Sequence, residues 1–402
     1  MKIGIIREGK NPPDKRTPFT PDRLKVLSSQ YAGKLSFHVE SSQFRCFSDE
    51  EYIEAGIEVL SDISQCDYLF GVKEVPVNHL IPGKTYFFFS HTIKRQSKNR
   101  NLLQGILEKN IRLIDYEVLK DNSGNRVVAF GRWAGIVGAY NALWTYGKKT
   151  ALFDIKRAYE CFGREELNLE LKKVQLPPVK IVVTGAGRVG AGVLEILNSL
   201  KIRQVSVYEF LHFYFEEPVF TVLHSEDFNR RKSDGGFDKS EFYSNPELYE
   251  SHFLKFAEAG EILIGAAYWD PDAPRLFNLK DIGDEDFSLS VIADVTCDIE
   301  GSIPTTIRAS TIIDPVYDID RLSGSELPAF GSQTSISVMA IENLPCELPR
   351  EASQEFCEQL EKWVIPALLE DNASILERAT IARDGDLTLE FMHLSDYVTS
   401  HE

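Results

Sequence analysis

Residues 180–192 read K-I-V-V-T-G-A-G-R-V-G-A-G, and they constrain the fold more than any other stretch of this chain. A β-branched apolar run at 181–183 leads into Gly185-x-Gly187-x-x-Gly190. Val189, Val193, Ile196 and Leu197 then recur at helical spacing. Strand, glycine turn and helix in that order suit a pyrophosphate: Gly185 permits the tight turn, Gly187 lets the backbone approach the phosphates, and Gly190 lets helix and strand pack closely. Residues 205–208 read as a second buried strand ending in Glu209, 19 residues past Gly190, where a ribose 2′-hydroxyl would be gripped. A sharp strand-to-helix turn that uses its glycines only for packing is the alternative.

The turn lies mid-chain, and the 402 residues allow two domains. Before it, short apolar segments at 2–6, 35–39, 68–72, 86–89 and 111–114 alternate with helical stretches near 21–29, 49–55 and 99–108. Ser48 is positioned to cap the second of these helices, with Asp49 and Glu50 in its first turn. A small-residue-rich helix opens at Phe130 and runs to about Tyr146. Residues 211–256 break the alternation with aromatics and charges, and it resumes at 261–267 and 289–294. The expectation is an α/β protein of two Rossmann-like domains with a cleft between them as the substrate site. Residues 1–130 plus 331–402 form a substrate-binding domain, and a dinucleotide-binding domain, 131–330, is inserted mid-chain.

The net charge of −17 argues against nucleic acid and anionic membranes as partners, so anion-binding basic residues must be sought one by one. Apolar runs are too short for a membrane-spanning helix, and residues 1–6 read as a first strand rather than a signal peptide. Six scattered cysteines without a C-x-x-C pair read as reduced thiols of a cytoplasmic protein, with no zinc or other metal site. The pattern assigns no oligomeric state.

Several strings resemble the alanine dehydrogenase, transhydrogenase and saccharopine dehydrogenase superfamily: Asp14-Lys-Arg-Thr-Pro-Phe-Thr-Pro21, Gly71-Val-Lys-Glu-Val-Pro76 and Phe88-Phe-Ser-His-Thr-Ile-Lys94. Ile111-Arg-Leu-Ile-Asp-Tyr-Glu117, Arg126-Val-Val-Ala-Phe-Gly-Arg-Trp-Ala-Gly135, Tyr268-Trp-Asp270 and Ile341-Glu-Asn-Leu-Pro-Cys-Glu-Leu-Pro349 narrow the resemblance. They are similar to the lysine–ketoglutarate reductase half of bifunctional aminoadipic semialdehyde synthases and, more loosely, to lysine-forming saccharopine dehydrogenases. The likeness spans most of the chain apart from residues 211–256 and the extreme C-terminus. It implies a nicotinamide cofactor, NAD or NADP, and a small-molecule substrate: saccharopine, or L-lysine with 2-oxoglutarate; the preference of the Glu209 carboxylate for an unphosphorylated ribose favours NAD, with NADP possible. Two departures stand out. The chain holds no counterpart of the glutamate-forming second domain, and Val189 stands near where the fungal branch has a cysteine. An alanine or other amino-acid dehydrogenase, and a non-catalytic NAD(P)H-binding regulatory protein, are the rival readings.

Lys73 follows an apolar strand and falls at the end where α/β folds bind ligands. The resemblance implies that it is the base for the secondary amine; a solvated lysine is the alternative. His91 closes the apolar run 86–90, and the resemblance makes it a proton shuttle, a role suited to an imidazole titrating at about 6.5. A satisfied core histidine is the other reading. Lys94 and Gln96, just beyond, can contact substrate carboxylate or amide groups, or be merely exposed. Arg16 and Arg126 are the candidate bidentate carboxylate binders. Phe130 lies in the matched motif beside them. Glu117 either tunes Lys73 or His91, binds the amino end of lysine, or is a turn acid. The resemblance sets Asp294, with Val295 and Thr296, against the nicotinamide, and capping of a turn is the alternative for Asp294. Arg188 and Val189 would touch the pyrophosphate, and Ala266 lies in a small-residue segment that lets a cofactor pass.

Overall fold

The computed structural model describes every residue except Pro12, Asp371, Asn372, His401 and Glu402. The chain divides into two compact units, Met1–Phe130 with Pro349–Glu402, and Gly131–Leu348.

The first unit is built on an eight-stranded sheet in the order Asp386–Leu387, Thr380–Arg383, Arg112–Asp115, Thr85–Phe88, Tyr68–Phe70, Lys2–Ile5, Ser36–Glu40 and Glu58–Leu60. Its last six strands in that order run parallel. Ile3, Ile5, Leu69, Phe70, Phe87, Phe88, Leu113 and Ile114 are fully buried. Such runs of consecutive apolar residues belong to strands covered on both faces. Helix Pro21–Gln30 starts with proline at its first turn. Helix Asp49–Glu54 is capped by Ser48, whose hydroxyl accepts the Glu51 N–H while the Glu51 carboxylate accepts the Ser48 N–H. Helix Pro349–Trp363 brings Phe356 into an aromatic cluster with Phe89, Tyr116 and Phe130.

The second unit carries another eight-stranded sheet. Its order is Glu326–Leu327, Val316–Ile319, Ile336–Met339, Val291–Asp294, Ile262–Gly265, Lys180–Thr184, Val219–Leu223 and Arg203–Gln204. The glycine-turn strand Lys180–Thr184 is central, between two parallel neighbours. Helix Gly131–Thr150 crosses helix Arg188–Ser199 at backbone contact. A Cβ on Gly135 would lie 1.9 Å from the Val189 carbonyl oxygen, and one on Gly192 would lie 2.0 Å from that of Arg132.

Two expectations need correction. The second unit continues to Leu348 rather than 330, because Ile336–Met339 pairs with Val291–Asp294 and Val316–Ile319 inside its sheet. The strand expected at 205–208 does not form. Only Arg203–Gln204 is extended, and Val207–His212 is a short helix with Ser206 as its cap. The strand that pairs beside the glycine-turn strand is Val219–Leu223, further along the chain. Among the described residues, no helix is long and apolar enough to cross a membrane. The six cysteines form no disulfide.

Candidate active site

In the first unit, four adjacent parallel strands end on one edge, so the residues that follow them are gathered together. Those residues are Glu8 after Lys2–Ile5, Lys73 and Glu74 after Tyr68–Phe70, His91 after Thr85–Phe88, and Glu117 after Arg112–Asp115. A parallel sheet brings its carboxyl ends to the same side whatever the sequence distance between strands, which is why this edge collects chemistry.

His91 sits between two carboxylates. Its Nδ1 is 3.3 Å from Glu117 Oε2 and its Nε2 is 3.6 Å from Glu74 Oε1. The ring stacks on Phe89 at 6.2 Å between centroids. The backbone there is left-handed, with φ 54°, a conformation that disfavours side chains and is held by the surrounding structure. Lys94 Nζ approaches Glu117 Oε1 at 3.5 Å from the solvent side. Burial alone would raise the Glu117 carboxyl; the His91 hydrogen bond and the charges of Lys94, His91 and Arg126 outweigh it and pull it down to about 2.

Burial lowers the Lys73 ammonium below its usual range, and the nearby Arg16 charge adds to the fall; Glu74 opposes it only in part. The backbone of this lysine is pinned by Glu8, whose two oxygens accept the N–H groups of Val72 at 2.7 Å and Lys73 at 2.9 Å.

Arg16 is buried and already committed. Its Nε and Nη2 donate to the two oxygens of Asp14 at 3.0 and 2.7 Å, and its guanidinium lies 4.1 Å over the Phe130 ring. A substrate carboxylate at Arg16 would therefore share it with Asp14. Arg126 lies 5.1 Å over the Phe89 ring and donates from Nε to the Val128 carbonyl. Gln96 is exposed at the start of helix Ser97–Glu108, where its carbonyl accepts the Tyr397 hydroxyl. Phe130 stacks on Phe356 at 4.3 Å.

Three members of this cluster were not singled out from sequence. Glu8 ends the first strand just as Lys73 ends another, and that shared position was its signal. Asp14 stands two residues before Arg16. Asp115 accepts the N–H groups of Ser90 and Glu117, so it ties the His91 and Glu117 loops together.

In the second unit the glycine turn has the shape the motif requires. Gly185 has φ +87°, and a Cβ there would lie 2.7 Å from the Ala267 Cα; one on Gly190 would lie 2.1 Å from the Gly185 carbonyl oxygen. Gly187 differs: a Cβ there would meet no heavy atom within 4 Å. That open space faces the start of helix Arg188–Ser199, whose first N–H groups are suited to a phosphate. Arg188 is exposed beside it, and Val189 packs toward Gly131. The residues present thus fit a dinucleotide's pyrophosphate.

Other cofactor candidates fare differently. Ala266 is buried, its N–H bonded to the Thr184 carbonyl. Asp294 is buried with both oxygens engaged: Oδ1 accepts Thr296 and Cys297, and Oδ2 accepts the Thr306 hydroxyl. Its carboxylate holds the turn that presents Val295 and Thr296, the capping alternative. Val295 itself packs on Gly138. Glu209 does not end a strand. It is the third residue of helix Val207–His212, and its carboxylate accepts the Ser206 N–H and hydroxyl at 2.9 and 2.6 Å. Spacing from Gly190 therefore does not lead to the end of a strand, because that stretch caps and starts a helix instead.

The first unit thus carries an acid–base cluster at a strand edge, and the second a glycine turn shaped for a phosphate. The family model for the alanine dehydrogenase/PNT N-terminal domain matches residues 4–137. Mitochondrial alpha-aminoadipic semialdehyde synthase of Mus musculus is 31% identical over 454 residues, covering 100% of this chain and 48% of that protein. The chain thus spans about half the length of the first curated relatives it matches. Saccharopine dehydrogenase [NAD(+), L-lysine-forming] of Schizosaccharomyces pombe is 28% identical, covering 93% of this chain and 95% of that protein. Among solved structures, an L-alanine dehydrogenase shares the fold with a TM-score of 0.66 at 16% identity, covering 99% of this chain and 100% of the other. Along its length the chain is thus similar to lysine-forming saccharopine dehydrogenases and to the matching half of alpha-aminoadipic semialdehyde synthases, and residues 4–137 match the alanine dehydrogenase/PNT N-terminal domain.

Proposed function

We propose that this protein is an NAD-dependent oxidoreductase acting on a C–N bond, interconverting saccharopine with L-lysine and 2-oxoglutarate. The observation that carries the reading is the strand-edge cluster: a partly buried lysine of lowered pKa, and a histidine bracketed by Glu74 and Glu117, each following a strand that ends on the same edge. The fungal relatives, named as NAD(+)-dependent and L-lysine-forming, support NAD and lysine.

The chain's own residues divide the work. Arg16 and Arg126 bind substrate carboxylates by paired hydrogen bonds. Lys73, as the neutral amine that burial favours, takes the proton from the substrate's secondary amine. A nicotinamide cofactor, held at its pyrophosphate by the glycine turn, would supply the hydride acceptor for this oxidation. His91 then removes a proton from the water that adds to the imine carbon. It returns that proton to nitrogen and then accepts the hydroxyl proton as the carbinolamine C–N bond breaks and the carbonyl forms, releasing lysine and 2-oxoglutarate. Glu117, anionic through the working pH range, keeps the imidazole oriented through Nδ1. Gly185, Gly187 and Gly190 with the start of helix Arg188–Ser199 hold the pyrophosphate.

NADH consumption by the purified chain tests the reading. Turnover with 2-oxoglutarate plus L-lysine, with saccharopine as the product by mass spectrometry, is expected. Turnover only with pyruvate plus ammonia would replace the substrate by that of an alanine dehydrogenase. Tight NADH binding without turnover on either pair would make the protein a cofactor-binding regulator.

A further inference from the structure

Helix Pro349–Trp363 lies late in the chain, yet it bonds to the segments that carry both candidate carboxylate binders of the first unit. Near its start, the buried Ser353 hydroxyl accepts the N–H of Thr17, the residue after Arg16, at 2.9 Å. Further along, the Gln359 side chain pairs with both backbone groups of Ala129. Its oxygen accepts the Ala129 N–H at 2.7 Å, and its NH₂ donates to the Ala129 carbonyl at 3.2 Å. Arg126 stands just before Ala129 and bonds from Nε to the Val128 carbonyl, so the Gln359 amide holds the segment from which this guanidinium projects.

Phe356 lies between these two anchors on the same helix and is fully buried. Its ring stacks on Phe130 at 4.3 Å between centroids and meets Phe89 at 5.9 Å. Those two rings carry the guanidiniums: Arg16 lies 4.1 Å over Phe130, and Arg126 lies 5.1 Å over Phe89. A cation on an aromatic face is attracted to it, so the place of each ring helps to fix its arginine. Positions 353, 356 and 359 recur every three residues, which keeps them along one broad side of the helix. At about 1.5 Å of rise per residue, Ser353 and Gln359 stand about 9 Å apart along the axis. That spacing cannot change without breaking the helix's own hydrogen bonds.

We infer that Ser353, Phe356 and Gln359 are positioning residues that hold Arg16 and Arg126 at a fixed separation and so select a 2-oxo acid with two carboxylates over one with a single carboxylate. The inference rests on the reading that both arginines bind substrate, and deepens it by naming what sets the choice among acids. A guanidinium holds a carboxylate by two parallel hydrogen bonds, so a shift of either segment costs part of that pairing. A monocarboxylate engages one arginine and does not sense their separation. Lys73 and His91 are held by other groups, Glu8, Glu74 and Glu117, so the effect falls on acid binding rather than on proton transfer.

Two five-carbon acids read this separation: glutarate, with two carboxylates, and valerate, with one. Both are titrated by calorimetry into the whole chain saturated with NADH, alongside KM measurements for 2-oxoglutarate and L-lysine. The wild-type chain is expected to bind glutarate about ten-fold tighter than valerate or better, the worth of one added charge-assisted pair. Gln359→Leu keeps the bulk of the side chain and loses both amide bonds; Ser353→Ala loses the acceptor for Thr17. Each should bring the ratio to within about three-fold and raise the KM for 2-oxoglutarate by about ten-fold. Phe356→Leu should act in the same direction. The KM for L-lysine and the affinity for NADH should hold in all three. Gln359→Glu, which keeps the acceptor for the Ala129 N–H, should recover part of the ratio. Gln359 is half-buried, so its variants keep the test open if the two core variants do not fold. Variants that lower the unfolding midpoint but keep the wild-type ratio would overturn the inference and leave the helix a scaffold, sparing the reading of function. A wild-type chain that turns over 2-oxoglutarate with L-lysine but binds the two acids alike would overturn it as well. A wild-type chain that binds neither acid and turns over only pyruvate with ammonia would bring down the underlying reading and the inference together.

Discussion

Glu8 accepts the main-chain N–H of Lys73 at 2.9 Å, so an acid buried at the end of one strand fixes the backbone of an amine at the end of its neighbour. Its other oxygen takes the Val72 N–H, and burial, reinforced by Asp14, pushes its carboxyl up from the ordinary range. Replacing Glu8 by Gln keeps one acceptor and turns an amide NH₂ toward the second donor. The expected result is a loss of about 1–3 kcal/mol in folding stability by urea titration. A several-fold fall in kcat should accompany it, with NADH affinity unchanged. Weaker NADH binding with normal kcat would detach Glu8 from the Lys73 backbone.

The amine itself gives a pH test. Burial, then the Arg16 charge, lower the Lys73 pKa below 10.5. The neutral base therefore becomes available at lower pH than an ordinary lysine would allow. In the direction of saccharopine oxidation, kcat/KM should rise with pH along a limb that levels off below 10.5. Lys73→Met should cut kcat by about 10²-fold or more and erase that limb while NADH affinity holds. A variant that turns over within a few-fold of wild type and binds NADH poorly would remove Lys73 from the chemistry.

Glu117 makes a stability prediction with a definite sign. Its carboxyl is held at about 2 in the folded chain against an ordinary 4.5. A depressed carboxyl stabilises the fold above its unfolded pKa and loses that contribution as pH falls through the folded value. The stability difference between wild type and Glu117→Gln should therefore be full at pH values above about 5 and shrink steadily toward about 2. Urea midpoints measured across that range decide it. A difference that stays constant down to the acid limit would mean that His91, Lys94 and Arg126 do not hold the carboxylate.

The parts of the fold that were legible in the sequence are those where local pattern and tertiary role coincide. Ile181, Val182 and Val183 before three glycines give strand, turn and helix because burial and the left-handed φ of Gly185 both act within ten residues. Lys73 and His91 were singled out because each follows a run of buried residues. Glu209 was expected at a strand end because a fixed count from Gly190 assumes that the next apolar residues make the next strand. Ser206 and Glu209 instead satisfy each other's backbone as a helix cap, and the strand waits until Val219. The pairing of Arg16 with Asp14, and both oxygens of Asp294 being spent on its own turn, depend on side-chain directions that no spacing rule reports.

The glycines of the second unit separate folding from binding. Gly135 sits where a Cβ would lie 1.9 Å from the Val189 carbonyl oxygen, backbone that cannot move without parting two helices. Gly135→Ala should cost about 1–3 kcal/mol or more, read as a lowered unfolding midpoint. NADH affinity should fall only as far as the folded fraction does. Gly187 has room for a Cβ and a φ of −75° that alanine accepts, and it precedes the first turn of helix Arg188–Ser199. Gly187→Ala should therefore cost about half a kcal/mol of stability as a poorer cap. It should weaken NADH binding much more, because the methyl group occupies the space left for the phosphates. The two variants should thus part in opposite directions on a plot of midpoint against NADH affinity. If Gly187→Ala binds NADH as the wild type does, the open space beside this turn is not where the pyrophosphate lies.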